Sequence, residues 1–407
     1  MKQGYLSQYF KGVAVKTLSA VEADMSISNQ HEYNVTKPLK KIFGLHERKF
    51  AARFAYLSDI DEEALTDDGS LTLYDSRKNQ PHRSPEFRMY FTATTVSFSA
   101  TAGDELFIAL KPDDTVLVIV AAGGSTIASQ LRWLFGLCDA GHMEFSVRDV
   151  LESEQDRISF ATRFVLEQIG IIVSVQDNTH LEDMLRIFGR NFPKTKEFSK
   201  YARSTLADIS PTDNPDAVLM AWMDREEILF RAMEKHLIAD YLGERLKEGF
   251  DGDVEHLANF FLSIQNRRKS RVGHALENHV EEILLCQGIQ FDRGKITENK
   301  SRPDFIFPGI QQYHDSAFDI TLLTMLGVKS TCKDRWRQVL SEADKIQNKH
   351  LLTLEAAISE NQTNEMRSQK MQLVVPAAIQ GSYTESQRKW LICIKDFIRL
   401  VQARQTD

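Results

Sequence analysis

The first third of the chain alternates short apolar runs with turn residues. Runs rich in Val, Thr, Phe and Tyr occupy residues 49–57, 87–99, 104–112 and 115–123. Closely spaced runs of this kind predict short strands, and "KPDD" provides a hairpin turn between the last two. Residues 36–44 predict a short helix that ends at Gly44. We therefore expect residues 1 to about 145 to form a small barrel or sandwich.

The pattern changes beyond Pro215, where apolar residues recur at helical spacing for some 70 residues. Further helices are predicted over 271–288, about 334–346 and about 385–402. Strands are predicted around Phe291 and over 303–308, 322–330 and 371–379. Helices that alternate with strands indicate an α/β domain.

Polar stretches separate the two patterns. A chain of 407 residues is too long for one ordinary core, so two domains are the expectation. Residues 148–157 and 208–216 are the clearest boundary or loop stretches, and we place the boundary near residue 178. The prediction is a mostly-β domain over 1–178 and an α/β domain over 179–407.

The charge is unevenly distributed along the chain. The net charge is −7, yet residues 261–350 hold 14 lysines and arginines against 11 acidic residues. A basic segment in an acidic protein is compatible with a DNA-binding cleft. The chain has no apolar stretch long enough to span a membrane, no signal peptide, and four isolated cysteines, which together predict a cytoplasmic protein.

Four charged residues lie near the predicted strands of the α/β domain. Asp304 precedes one apolar run and Lys329 ends another, while Glu277 and Glu342 lie on the predicted helices around them. Carboxylates bind Mg²⁺, and a lysine beside the metal stabilises the transition state of phosphodiester hydrolysis. The alternative is a set of surface salt bridges, because an Asp and a Lys at this spacing form a short pattern.

A dense polar cluster follows Lys329. Arginine reads guanine and aspartate accepts a hydrogen bond from cytosine, so Lys333, Asp334 and Arg335 are candidate readers of a C·G pair. The alternative is a solvated helix start, but several cations at a helix N-terminus oppose the helix dipole. Trp336 is expected to pack in the core.

A second basic cluster, "NRRKSR", precedes the helix of Glu277 and contains Arg267, Arg268, Lys269 and Arg271. Beside a nuclease cleft these residues are expected to contact phosphates. The alternative is a solvated turn.

Three contiguous blocks of the α/β domain resemble a known family. "QNRRKSRVGHALENHVEEIL", "RPDFIFPGIQQYHD" and "GVKSTCKDRWRQVLSEADKI" are similar to the catalytic domain of EcoRII-type restriction endonucleases, and the likeness covers most of 185–380. The resemblance implies a PD-(D/E)XK nuclease fold. By motif it makes Glu277, Asp304, Lys329 and Glu342 the Mg²⁺-dependent catalytic set, with all three carboxylates as metal ligands.

The same resemblance implies a DNA target and partners. Lys333, Asp334 and Arg335 would read the outer C·G pairs of a CC-N-GG site, and "KDRW" favours CCWGG. A homodimer would read the two half-sites and flip out the central bases. An enzyme of this family is paired with a cytosine DNA methyltransferase. The residues leave the choice between W and N at the centre open.

The N-terminal domain carries a shorter likeness. Residues 18–32 and 73–90 resemble the effector-DNA-binding domain of the same family, which is a mostly-β pseudobarrel. By position, the implied DNA contacts are His31, Arg77, Arg83, Glu86 and Arg88. Alternating Arg and Glu side chains near a strand edge suit base readout, and an exposed charged hairpin is the alternative.

The expected function is that of a type II restriction endonuclease that cuts double-stranded DNA at a CCWGG-like site and leaves 5′-phosphates. The N-terminal domain would bind a second DNA site and control activity. Two alternatives stay open. The N-terminal domain could read a different or modified sequence, or the chain could be a non-catalytic DNA-binding regulator with a nuclease fold.

Overall fold

The computed structural model describes residues 2–23, 31–60, 64–80, 82–137, 143–173, 179–206, 209–248, 254–333 and 335–406. The chain divides into two compact units. The first unit contains Met1–Val173 and Ala356–Thr363, and the second contains Ser174–Glu355 and Asn364–Asp407. The predicted boundary was near residue 178, and the return of Ala356–Thr363 to the first unit was not predicted.

The first unit is built on one eight-stranded sheet. Its strands are β1 (Gly12–Thr17), β2 (Glu32–Asn34), β3 (Arg48–Leu57), β4 (Leu65–Asp75), β5 (Phe87–Phe91), β6 (Glu105–Leu110), β7 (Val116–Ala121) and β8 (Ser146–Arg148). They lie in the order β2-β5-β4-β3-β7-β6-β1-β8. Neighbours in this order are antiparallel except β3 and β7, which are parallel.

Apolar side chains cover both faces of this sheet. Val118 belongs to a core cluster on one face and Ile119 to a second cluster on the other. Burial on both faces explains why "VLVIVA" is apolar without alternation. The helices of the unit are α1 (Ala20–Ala23), α2 (Lys37–Phe43), α3 (Thr95–Ser99), α4 (Thr126–Leu134) and α5 (Phe160–Gln168).

One predicted strand of this unit is wrong in its second half. Residues 87–99 were predicted as a continuous strand, but the strand ends at Phe91 and α3 follows. Thr94 caps α3: its hydroxyl accepts from the Ser97 N–H at 3.1 Å, and the Ser97 hydroxyl accepts from the Thr94 N–H at 2.8 Å. This reciprocal capping overrides the strand preference of the threonines and phenylalanines.

The second unit has a five-stranded mixed sheet. Its strands are β9 (Asp292–Arg293), β10 (Phe305–Phe307), β11 (Thr324–Lys329), β12 (Lys349–Thr353) and β13 (Met371–Val374). They lie in the order β13-β12-β11-β10-β9, with β9, β10 and β11 antiparallel and β11, β12 and β13 parallel.

Helices make up most of the rest of the chain beyond Ser174. They are α6 (Leu181–Phe188), α7 (Thr195–Ser204), α8 (Pro215–Glu248), α9 (Val254–Cys286), α10 (Ile310–His314), α11 (Arg335–Leu340), α12 (Glu360–Ser368), α13 (Ala377–Gln380), α14 (Glu385–Arg388) and α15 (Ile394–Thr406). Two of them correct the sequence-based bounds. Helix α9 begins at Val254 and not at 271, and α11 ends at Leu340 and not at 346.

A buried ionic cluster joins α7, α8 and α9. Arg271 Nη2 lies 2.7 Å from Glu226 Oε1, and His279 Nε2 lies 3.0 Å from Glu226 Oε2. Arg203 Nη1 lies 3.3 Å from His279 Nδ1. Burial lowers the pKa of His279, which favours the neutral ring. A neutral ring that accepts from Arg203 at Nδ1 fits that neighbour, whereas Nε2 lies close to Glu226 Oε2 without hydrogen-bond geometry.

The segment Ala356–Thr363 is tied to α4 within the first unit. The Ser359 N–H donates to Thr126 Oγ1 at 3.2 Å, and the Thr126 hydroxyl donates to Gln362 Oε1 at 2.8 Å.

In the described part of the chain, no helix combines the length and the apolar character that crossing a membrane requires.

Candidate active site

Asp304 and Lys329 are in direct contact at the edge where β10 begins and β11 ends. Lys329 Nζ donates to Asp304 Oδ2 at 2.9 Å, and the Val328 N–H donates to the same oxygen at 2.6 Å. Both side chains are 14% exposed. Among the described residues no group donates to Oδ1 of Asp304, so this oxygen is available for another ligand.

The strand register explains the contact. Phe305 pairs with Leu326 across the antiparallel strands β10 and β11, which places Asp304 opposite Gly327 and beside Val328. A Cβ atom on Gly327 would lie 2.9 Å from both methyl groups of Val339. A side chain at position 327 would therefore clash with Val339, which excludes an acidic residue two positions before Lys329. A second carboxylate near Asp304 must come from another segment.

Glu342 provides that second carboxylate. It lies in the turn after α11, two residues beyond Leu340, and not on a helix as predicted. Burial raises the pKa of Glu342 to about 7; Lys329 and Lys349 oppose the shift, and the charge of Asp304 adds to it. Its Oε2 is buried and has no hydrogen-bond partner among the described residues. A buried carboxylate oxygen without a hydrogen-bond donor, near a second carboxylate, can act as a ligand for a cation.

Glu277 has a different environment. Its Oε2 lies 2.8 Å from Arg293 Nη2, and Arg293 Nη1 lies 2.7 Å from Glu281 Oε2. Arg293 pairs in register with Phe305, the residue that follows Asp304. Glu277 thus faces the same sheet edge through an arginine. Within the described ranges, no three His, Cys, Asp or Glu side chains are arranged to hold a metal, so the predicted three-carboxylate set is not assembled.

Two carboxylates fit Mg²⁺ better than three here. Mg²⁺ is bound by one or two carboxylates together with waters and phosphate oxygens. Among the described contacts, Oδ1 of Asp304 and the buried Oε2 of Glu342 accept no hydrogen bond. The donor set is therefore compatible with a hard divalent cation and offers no sulfur or imidazole ligand.

The predicted reader segment follows directly. The buried Cys332 N–H donates to the buried carboxylate of Glu355, which anchors the chain after β11. Lys333 has a φ of +27° and is half-buried, and Arg335 is exposed at the first position of α11. Asp334 lies outside the described residues. Trp336 is fully buried, which confirms that it packs in the core.

The basic cluster "NRRKSR" lies inside α9, and two of its arginines are engaged within the protein. Arg271 is 5% exposed and is paired with Glu226, so its burial excludes the predicted phosphate contact. Arg268 makes bonds of 2.6 to 2.9 Å to the buried carboxylate of Glu234. The Arg267 guanidinium lies 3.9 Å from the centre of the Phe192 ring. The side chain of Lys269 is outside the described part of the structure.

The sequence did not identify Arg293 or Lys349. Lys349 begins β12, is 7% exposed, and donates to the carbonyl oxygens of Glu342 and Ala343. A lysine ahead of an apolar run normally indicates a solvated strand end. No local signal distinguishes it, because its partners belong to another segment.

The predicted DNA contacts of the first unit form a chain of ion pairs. Glu86 is paired with Arg77 and, at 2.9 Å, with Arg88; Arg88 lies 3.3 Å from Glu32. The hydrogen bond from Arg88 lowers the pKa of Glu86. Two predicted residues lie outside this chain: Arg83 donates to Gln80 Oε1 at 3.2 Å, and the His31 ring packs against Tyr90 and Phe91.

The second unit combines a mixed sheet, an Asp–Lys pair on adjacent strands and a buried glutamate near that pair. The family model "EcoRII C terminal" matches residues 230–398. The match covers about two fifths of the chain and includes Asp304, Lys329 and Glu342.

Two curated relatives match part of the chain. The type II restriction enzyme EcoRII of Escherichia coli is 39% identical over 208 residues, which are 51% of this chain and 50% of that enzyme. The type II restriction enzyme SsoII of Shigella sonnei is 29% identical over 119 residues, covering 27% of this chain and 38% of that enzyme. The chain spans about half the length, or less, of the curated relatives that it matches.

Two solved structures align with part of the chain at low identity. Metal-depleted Ecl18kI in complex with uncleaved DNA has a TM-score of 0.46 at 19% identity and covers 56% of this chain and 85% of that one. The restriction endonuclease PspGI in a substrate DNA complex has a TM-score of 0.44 at 17% identity, covering 54% and 95%.

Proposed function

We propose that the chain is a type II restriction endonuclease that hydrolyses double-stranded DNA at a CCWGG-like site and leaves 5′-phosphates. The observation that carries the proposal is the Asp304–Lys329 contact with the buried Glu342 beside it. The family match over residues 230–398 and the identity to EcoRII support it.

Asp304 and Glu342 would hold Mg²⁺ through Oδ1 and Oε2. When bound, the metal would lower the pKa of an attacking water and offset the charge on the phosphate oxygens. Lys329 holds a positive charge 2.9 Å from Asp304, where it can orient that water and stabilise the charged transition state. Glu277 is proposed to act indirectly, through its ion pair with Arg293.

The proposed specificity lies in the segment after Lys329. Lys333, Asp334 and Arg335 would read the outer C·G pairs in the major groove. The exposed Arg335 at the start of α11 supports this assignment. A homodimer would place two such segments on one pseudo-palindrome, and Arg267 remains a candidate phosphate contact. The enzyme would act on cytoplasmic DNA beside a cytosine methyltransferase that protects the host's own sites.

The first unit is proposed to bind a second DNA site and to control cleavage. The ion pairs of Glu86 with Arg77 and Arg88 support this role, because paired arginines are held in fixed orientations for bidentate base contacts. His31 and Arg83 complete the proposed contact set. The same arrangement fits a unit that reads a different or modified sequence.

Cleavage of a plasmid tests the proposal. Purified full-length protein is incubated with an unmethylated plasmid that contains CCWGG sites, with Mg²⁺ and with an activator duplex. Discrete fragments are expected, and none should form with EDTA or with Lys329→Met. If wild-type protein binds the sites but never cleaves them, the non-catalytic regulator is the correct function.

Stimulation of cleavage by different activator duplexes shows whether the first unit reads the CCWGG site or another sequence. Arg88→Met in the full-length protein should remove stimulation by an activator duplex with the CCWGG site. If only duplexes of another or methylated sequence stimulate cleavage, the first unit reads a target different from that of the catalytic unit.

A further inference from the structure

Lys349 is a buried lysine whose ammonium group binds the main chain of the turn that carries Glu342. It is 7% exposed, and Nζ donates to the carbonyl oxygens of Glu342 and, at 3.2 Å, of Ala343. Nearby carboxylates of Asp344, Glu342 and Glu298 favour its charged form against the effect of burial. Burial lowers the pKa of Lys349 on balance. Burying a polar amino group is costly unless it is hydrogen-bonded, so its placement against these two carbonyls calls for an explanation.

The turn determines where the Glu342 carboxylate lies. Helix α11 ends at Leu340, and Ala343 has a φ of +49°, a conformation that residues with a side chain rarely adopt. The Asp304 carboxylate is fixed by two hydrogen bonds of its own. In contrast, Oε2 of Glu342 accepts none from the described residues. The position of Glu342 therefore depends on its main chain.

Other contacts hold the flanks of the turn. The Ser301 hydroxyl donates to the Ser341 carbonyl at 3.3 Å, and Lys345 Nζ donates to the Tyr313 carbonyl at 2.7 Å. These two contacts involve residues on either side of Glu342. The side chain of Lys349, by contrast, donates to the carbonyl oxygen of Glu342 itself. Lys349 thus binds the carbonyl side of Glu342, while the Glu342 N–H donates to the Val339 carbonyl at 3.2 Å.

From this geometry we infer that Lys349 is a positioning residue for Glu342 and thereby sets the affinity of the site for its divalent cation. The inference rests on the proposed nuclease function. Lys349 touches neither Asp304 nor Lys329 by any described hydrogen bond, so it acts through the main chain of Glu342. Groups that orient metal ligands in this indirect way typically change metal affinity or activity by about 10- to 100-fold when they are removed.

The test compares Lys349→Met with Lys349→Arg in the full-length protein. Cleavage rates are measured against Mg²⁺ concentration, and Mn²⁺ affinity is measured by calorimetry on the complex with an uncleavable phosphorothioate duplex. Lys349→Met should raise the Mg²⁺ concentration for half-maximal rate and weaken Mn²⁺ binding by about 10- to 100-fold. Lys349→Arg, which keeps the charge and the donors, should restore most of both.

Lys370→Met is the matched control. Lys370 is exposed, its carbonyl accepts the Lys349 N–H at 3.2 Å, and its side chain reaches Gln347 Oε1 at 3.4 Å. This variant loses the same charge from the neighbouring strand end and should keep wild-type metal dependence. DNA affinity measured without divalent ions should be unchanged in all three variants.

A double variant decides between positioning and a merely structural role. If Lys349 acts through Glu342, Lys349→Met should add little to the defect of Glu342→Gln. Multiplied defects, or a Lys349→Met protein with wild-type metal dependence, would overturn the inference. If Lys349→Met does not fold, Lys349→Gln, which keeps one donor, enters the same comparison. Absence of cleavage by the wild-type protein would instead refute the proposed nuclease function.

Discussion

Lys329 Nζ and Asp304 Oδ2 lie 2.9 Å apart at the edge where two antiparallel strands of the second unit meet. The Val328 N–H donates to the same carboxylate oxygen, so the lysine and the strand together fix the aspartate. This contact links recognition and chemistry closely, because the proposed reader segment begins only a few residues after Lys329.

Lys329→Met should abolish most cleavage while leaving DNA binding intact. The substitution keeps the length of the side chain and removes the charge that is proposed to stabilise the transition state, so the rate should fall by at least about 100-fold. Single-turnover cleavage and gel shifts in Ca²⁺ measure the two effects. Lys389→Met, at a lysine whose side chain is 74% exposed, is the control and should behave as wild type. Equal rates for Lys329→Met and wild type would remove Lys329 from the mechanism.

Glu342→Gln should inactivate the enzyme and stabilise the metal-free protein. Because burial raises the pKa of Glu342 to about 7, its ionised form costs folding free energy above that pH. At pH 8 without divalent ions, the free energy of unfolding should rise by about 1 to 3 kcal/mol. Urea denaturation measures the change, with the exposed Glu385→Gln as control. A less stable Glu342→Gln protein would contradict the described environment of this carboxylate.

Arg271→Met should lower the stability of the protein, whereas Arg267→Met should mainly weaken DNA binding. Removing Arg271 leaves the buried Glu226 without its closest cation, so unfolding free energy should fall by about 3 to 5 kcal/mol. Removing Arg267 should change stability less, weaken DNA binding and lower the salt slope of binding by about 1. Chemical denaturation and salt titrations of DNA binding separate them. Loss of DNA affinity in a fully stable Arg271→Met protein would show that Arg271 contacts DNA after all.

His350 should make the protein sensitive to acid. Burial lowers its pKa to about 4, so between about pH 6.5 and 4 the unfolded chain binds a proton that the folded chain does not. The stability that His350 contributes is therefore lost as pH falls through this window, by about 3 kcal/mol, while Glu342, whose pKa is raised, contributes in the opposite direction above about pH 4.5. His350→Gln should flatten this slope, and the exposed His46→Gln should not. His279, whose pKa is also lowered, leaves a residual slope in both variants. An unchanged slope in His350→Gln would contradict the assignment.

The sequence predicts best where the determinants are local. Asp304 and Lys329 were predicted because each stands at the end of an apolar strand, and the antiparallel register brings them together. Glu342 was identified but placed on a helix, since periodicity over 334–346 does not reveal the left-handed conformation of Ala343. The lysine that holds that turn comes from the next strand.

Burial of charged residues was the least predictable feature. A run such as "NRRKSR" normally lies on the surface, and the partner that buries Arg271 is Glu226, 45 residues earlier in the chain. In the same way, the capping of α3 by Thr94 and Ser97 competes with strand preference that local composition favours. Both cases depend on specific side-chain contacts that hydrophobic patterning does not encode.

Mapping the ends of cleaved DNA tests the central claim most directly. An unmethylated plasmid with CCWGG sites is digested by the full-length protein in Mg²⁺ with an activator duplex, and the products are sequenced. We expect 5′-phosphate ends before the first C of each CCWGG site, and no such ends from the Lys329→Met protein. Failure of the wild-type protein to cut under these conditions, or ends that are the same for both proteins, would contradict the claim.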